Sequence, residues 1–507
     1  MRKITIILCL SLLAALAIAT EHLSATQTAR QQANRGEWQQ ALESYNRALT
    51  TAPNDATCLA RRGYANARLG DYKQAFADFA SAIKSDTNCA DAYSRRSRVY
   101  AWLGLDRLAK QDAKKALELT ASVPTEPDLL LEHAGLLQTV EKNNEADAEF
   151  HRVLALCSKG KDVSNLLNAA SAYFRLHQYK DSASCLCEAI KLAPKCPYLH
   201  LLRSGAYWNL KQWTLAISEL DLYVTYNKKD PLAFCGRGDC YYGQADYTKA
   251  IADYDQAINL APNYVYALYQ RGLAHHHLTE HQKAISDFSS AINLDSTNPD
   301  AYEERADNYC HQKEWAKALE DTKQALLLNP KYAKAYSTQA WAHRELGQLA
   351  DEIEDHNTAV ALAPKDSTVY YGRGMCYRAQ KQYKKAIADL TEAIKYDQQN
   401  AINFCARGSA LVSDHQYERA IADCTQSLKL NSKRTHPHLS RGIAYSRLGK
   451  NKLALQDLDE AIRQVPNYGE AYYERSLTYQ SLGKQNLSKI DLQKAKTFGY
   501  QSPEAMR

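Results

Sequence analysis

Residues 266–299 read YALYQRGLAHHHLTEHQKAISDFSSAINLDSTNP, and this stretch decides the fold. Leu268, Gly272 and His275 recur at steps of four and three, which marks one face of a helix. After a polar break at Thr279–Gln282 the same steps return at Ala284, Phe288 and Ala291. The segment therefore predicts helix, tight turn, helix and a short loop. Each helix is about 14 residues long, too short to persist alone in water, so packing must hold it.

The unit repeats fourteen times. The small residue after each turn is Ala41, Ala75, Ala109, Ala146, Ser182, Ala216, Ala250, Ala284, Ala318, Glu352, Ala386, Ala420, Ala454 and Ser488, and from Ser182 onward every interval is 34. Twelve residues earlier stands a second small column, which includes Gly63, Ser97, Ala134, Gly238, Gly272, Ala306, Gly374 and Gly442. Small residues facing one another let two helices approach closely, and an aromatic such as Phe79, Tyr254 or Phe288 fills the remaining groove. None of the thirteen prolines falls in a predicted helix interior: Pro53, Pro194, Pro262, Pro330, Pro364 and Pro466 end repeats, while Pro127, Pro197, Pro231 and Pro299 open them.

The whole pattern resembles the tetratricopeptide repeat family. It comprises an aromatic or Leu (Tyr302, Phe404), a small residue, a Tyr (Tyr173, Tyr445), a turn like Gly70-Asp71-Tyr72, then Ala, aromatic, Ala and Pro, from about His22 to Thr497. The resemblance implies an all-α, right-handed superhelical solenoid of antiparallel helix pairs with a concave groove. A repeat array of this size is a surface for holding other molecules.

The pattern loosens early, with intervals of 37 and 36 around Ala146 and with Pro124 and Pro127 in an enlarged loop. The expected organisation is a signal peptide over residues 1–19, repeats 1–3 over 22–123, repeats 4–14 over 124–498 with a kink between the two segments, and a tail at 499–507. Arg2-Lys3 precede a sixteen-residue apolar run, Ile4–Ala19, ending in the small-x-small pattern Ala17-Ile18-Ala19. That reads as a cleaved export signal, the alternative being an uncleaved N-terminal anchor, so the mature chain is expected in the periplasm or secreted. The twelve cysteines after Cys9 show no framework spacing and are expected to fill small apolar positions between helices, with disulfides between neighbouring repeats as the alternative.

Charge is balanced, with 63 basic and 57 acidic residues, so binding of nucleic acid by counterion release is not expected. Ten arginines (Arg62 to Arg475) precede the small column, most with an Asp sixteen residues on (Asp78, Asp253, Asp287, Asp491); recurrence at one offset reads as a ladder tying helices together, not as an active site. His275, His276, His277 and His281 are read as polar surface, because consecutive helical positions point apart and cannot share a metal. No phosphate loop, HExxH or GxSxG motif occurs, so no enzyme, cofactor or metal is expected.

Function is expected in positions that do not repeat. One stripe of each first helix points away from the packing face, and by the resemblance it lines the concave surface. It collects Trp102, Phe174, Tyr198, Trp208, Tyr242, Tyr266, Tyr269, His276, His311, Trp341 and Tyr371. Aromatics with a polar handle are what peptide-binding surfaces favour, so the expected partner is a protein or an extended peptide. The alternatives are a glycan-binding or envelope-assembly module, or a regulatory subunit of a separately encoded enzyme. Family members that grip acidic chaperone tails need Asn at the ninth position of the first helix; the column here runs Tyr64, Arg98, Gly135, Ser171, Gly205, Asp239, Leu273, Asp307, Trp341 and onward without one.

Overall fold

The computed structural model describes residues 20–120, 123–158 and 160–500. The expected signal peptide and the tail from residue 501 onward, with Pro503, lie outside the described residues. Among the described residues there are twenty-eight helices, no strands, and fourteen tandem pairs, from 20–34 to Gln485–Thr497. The chain is an all-α, right-handed superhelical solenoid of antiparallel helix pairs. No described helix is long and apolar enough to cross a membrane.

Repeat 7, helices Pro231–Gly243 and Tyr247–Leu260, shows how sequence makes each pair. Pro231 sits at the first helical position, where its missing N–H costs nothing, and Asp246 caps the second helix by accepting from the Lys249 amide at 3.3 Å. Ala250, Tyr254 and Ala257 are wholly buried, and a Cβ added to Gly238 would lie 2.7 Å from the Tyr254 ring. The small column is therefore the place where a large side chain of the second helix (Tyr254 here, Phe288, Leu390 or Leu458 elsewhere) packs directly on the first. Each fully buried ring or leucine of this kind contributes about 1.5–3 kcal/mol. Between the helices, each of the fourteen turns places one residue at positive φ, from Gly36 to Gly483, and six of them are glycine.

The Ala column has one charged member, and the structure accommodates it. Glu352 is 1% exposed and accepts from Arg344 Nε at 2.8 Å, a salt bridge where the other repeats place a small side chain. No disulfide links the described residues, and ten of the twelve described cysteines are buried.

Two compact units divide the chain at Glu304/Arg305, inside the first helix of repeat 9 (Pro299–His311). In the first unit, the turns of repeats 1, 2 and 3 seat on the openings of repeats 6, 7 and 8. The Cys196 thiol donates to the Arg35 carbonyl at 3.0 Å, and Trp38 meets Tyr198 edge to face at 6.1 Å. Added Cβ atoms would lie 2.6 Å from Tyr198 at Gly36, 2.9 Å from the Lys229 carbonyl at Gly70, and 3.5 Å from the Tyr266 amide at Gly104. Repeats 1–3 thus contact repeats 6–8 of the same unit through their turns. The last described helix of the second unit, Gln485–Thr497, buries Asp491 and Ala495 and leaves Leu487, Ile490 and Leu492 exposed among its polar residues, so the polar outer face expected of a terminal cap is incomplete.

Candidate functional site

The repeated charges resolve into architecture. Arg271, on the first helix of repeat 8, donates through Nε and Nη2 to both oxygens of Asp287 at 2.9 and 2.6 Å, and through Nη1 to Asp255 of the preceding repeat at 2.6 Å. The same two-sided grip recurs at Arg237 (Asp253 and Asp221) and Arg475 (Asp491 and Asp459). Each arginine therefore ties its own second helix and the one before it. Where the Arg is missing the carboxylate still finds a partner: His133 Nδ1 lies 2.8 Å from Glu149, and His343 Nδ1 lies 2.7 Å from Asp355.

The histidine cluster is not uniformly polar surface. His275 is 8% exposed, with Nδ1 2.6 Å from Glu280, because it continues the packed face that begins at Leu268. His277 is exposed and stacks on Tyr247, the ring centroids 4.7 Å apart and the planes 8° from parallel.

The stripe residues fall into distinct settings. In the first unit, Trp102 and Tyr198 both face the buried Arg68, whose guanidinium lies 5.4 Å from each ring. Tyr242 packs edge to face on Tyr247, and Tyr269 on Phe288, at 5.3 and 5.5 Å. His276 lies edge-on to His277 and His281 at 5.7 and 5.8 Å. In the second unit, His311 meets Trp341 edge to face at 5.1 Å, and Tyr371 packs against the cluster around Leu390.

Phe174, Trp208 and Tyr266 come together. They line one cavity of about 350 Å³ in the first unit, spanning the first helices of repeats 5 to 8 (Val163–Arg175, Pro197–Asn209, Pro231–Gly243, Val265–His277). Gly205 and Gly236 open the space, and Leu201 and Leu232 add apolar wall. Trp208 remains 39% exposed and leans edge-on against Trp213 at 5.9 Å. That volume lies at the low end of ligand pockets, about 300–1,000 Å³.

One carboxylate also lines this cavity. Asp239 Oδ1 accepts from the Tyr254 hydroxyl at 2.8 Å and Oδ2 from the Tyr266 hydroxyl at 3.2 Å. Burial pushes its pKa up to about 6, against the pull of the two hydroxyls. In the sequence, Asp239 stands out only as a member of a column without Asn. Nothing in the repeat marks it as the acid beneath an aromatic cavity, because its tyrosine partners come from another helix and another repeat. Arg68 is hidden in the sequence for a similar reason: its partners lie 155 and 162 residues away.

Models of the tetratricopeptide repeat match residues 26–92, 167–233, 265–298, 299–332, 367–400 and 469–497, and a TPR repeat model matches 238–278. No curated protein matches the sequence. Among solved structures, the chain is similar to YrrB, described as a TPR protein with an unusual peptide-binding site, at 23% identity over 36% of this chain and 93% of that one, with a TM-score of 0.31. It is also similar to a tetratricopeptide repeat protein from Parabacteroides merdae, at 18% identity over 51% of this chain and 98% of that one, TM-score 0.44. A third likeness is to the Cut9–Hcn1 structure of the APC/C, at 14% identity over 90% and 96%, TM-score 0.44.

Proposed function

Because the chain belongs to the tetratricopeptide repeat family, whose members bind proteins or peptides, we propose that it is an exported, non-enzymatic scaffold that holds an extended protein segment against its first-helix aromatics. The observation that carries this reading is the cavity lined by Phe174, Trp208 and Tyr266, three rings from three repeats around one space. An extended segment laid across successive first helices would meet Phe174, Trp208 and Tyr266 from repeats 5, 6 and 8, and large, half-exposed aromatics are efficient anchors.

Two further features support the finer parts of the reading. The repeats account for the chain from residue 20 to Thr497, and their recurring charges are engaged in holding helices together. The N-terminal run Ile4–Ala19 after Arg2-Lys3 has the form of an export signal.

Affinity capture from the envelope and medium of the source organism tests the proposal. A scaffold retains defined proteins, and Trp208→Ala combined with Trp341→Ala releases them while the melting temperature holds. Capture of soluble polysaccharide instead of protein, read as quenching of tryptophan fluorescence, would replace this reading with a glycan-binding one.

A further inference from the structure

We infer that the cavity of repeats 5 to 8 receives a basic side chain of the bound segment, its stem along Phe174 and Trp208 and its cation on Asp239. This subsite rests on the proposed peptide-holding function and gives it a chemical preference.

The walls and the floor ask for different things. Leu201, Leu232, Phe174 and Trp208 offer apolar and aromatic surface, which suits the methylene stem of lysine or arginine. Asp239 offers a carboxylate whose contacts are both tyrosine hydroxyls, at 2.8 and 3.2 Å. Each of its oxygens keeps lone-pair capacity after one such bond. The arginines on the same and the next first helix are committed elsewhere: Arg237 holds Asp253 and Asp221, and Arg271 holds Asp287 and Asp255.

A carboxylate lining an apolar cavity without a cation is costly to keep charged. The two neutral hydroxyl donors offset only part of that cost, since neither brings a positive charge. A cation arriving from the partner would offset the cost, and the aromatic walls would add cation–π attraction to a guanidinium or ammonium. An acidic side chain would be repelled, and a purely apolar one would leave the carboxylate sealed without a counter-charge. The cavity therefore selects a residue that is apolar along its length and positive at its tip.

The test uses the full chain, immobilised, and a positional-scanning hexapeptide library with Arg, Lys, Leu, Phe or Glu fixed at each place. The expected result is retention of Arg and Lys pools at one place. Asp239→Asn, whose oxygen accepts from one tyrosine while its amide N–H donates to the other's hydroxyl oxygen, lowers that retention about tenfold or more, whereas Asp239→Glu keeps the basic preference. Citrulline in place of arginine, tested on the unaltered protein, loses retention by a similar factor, so the outcome does not depend on a variant folding. Equal retention of Leu, Phe and citrulline pools, still lost in Trp208→Ala, overturns the basic subsite and leaves the peptide groove standing. Retention of no pool overturns both.

Discussion

Arg68 donates from Nη2 to Asp230 at 3.1 Å across 162 residues of chain, with the two side chains 3% and 1% exposed. Tyr223 completes the site: its hydroxyl donates to the same Asp230 oxygen at 2.6 Å and accepts from Arg68 at 3.1 Å. Trp38, Trp102 and Tyr198 surround the guanidinium, with ring centroids at 4.9, 5.4 and 5.4 Å. This is the point at which the turn of repeat 2 is fastened to the opening of repeat 7.

Removing one partner of such a pair strands the other in a dry site. Arg68→Met is expected to cost about 3–5 kcal/mol, because it removes the cation that faces the buried Asp230 carboxyl. The loss should be local, so hydrogen exchange in repeats 1–3 and 6–7 should accelerate in the full chain while repeats 10–14 keep their protection. Adding Asp230→Asn to Arg68→Met should recover part of the loss, and a double variant worse than the single would contradict the pairing.

Thr279 is a β-branched residue at φ 59° in the turn of repeat 8, where glycine would be unstrained. Thr279→Gly is expected to stabilise by about 1 kcal/mol, since relief of strain outweighs the added freedom of the unfolded chain. The reverse holds at Gly36, also at positive φ, where a Cβ would lie 2.6 Å from Tyr198. Gly36→Ala should therefore destabilise. Thermal melts of the two variants should move in opposite directions.

These two turns show how much of the fold is legible in the sequence. The turn itself, its neighbours and the helix pair can be read from residues 266–299, because everything that decides them lies within one repeat. The ladder is legible for the same reason, as Arg271 and Asp287 are sixteen residues apart and recur in step. The seating of Gly36 on Tyr198 is not, since it joins one repeat to another five away and no local period encodes it. Of the aromatic stripe, Trp102 and Tyr198 face Arg68, whereas Phe174, Trp208 and Tyr266 share a cavity; sequence spacing puts all five on the same helix face without distinguishing their surroundings.

Acid should act on the second unit through His356. Its ring is 6% exposed in the second helix of repeat 10 (Leu349–Leu362), and burial, with Arg344 and Arg373 nearby, holds its pKa down at about 4. In the unfolded chain the ring protonates near its ordinary value of about 6.5. Between those values the unfolded state binds more protons, so this contribution is present above pH 6.5 and is lost as pH falls toward 4, up to about 3 kcal/mol. Urea unfolding followed across that range should show His356→Leu losing less stability on acidification than the parent chain.

The ladder arginines should matter more for fold than for binding. Arg271→Ala frees the buried Asp287 and the more exposed Asp255, and should cost about 2 kcal/mol or more around repeats 7 and 8. Arg271→Lys should recover only part of this, because one ammonium cannot span both carboxylates in a planar fork. Denaturant midpoints of the two variants provide the check.

The most direct test of the binding account is site-specific photocrosslinking on the full chain. A benzophenone amino acid replaces Trp208, 39% exposed at the aromatic cavity, and in a control replaces Leu222, 48% exposed on the second helix of the same repeat. Irradiation in the envelope fraction of the source organism should give discrete protein adducts from position 208 and none from 222. Adducts of equal yield from both positions, or from 222 alone, would contradict the assignment of binding to the first-helix aromatic face.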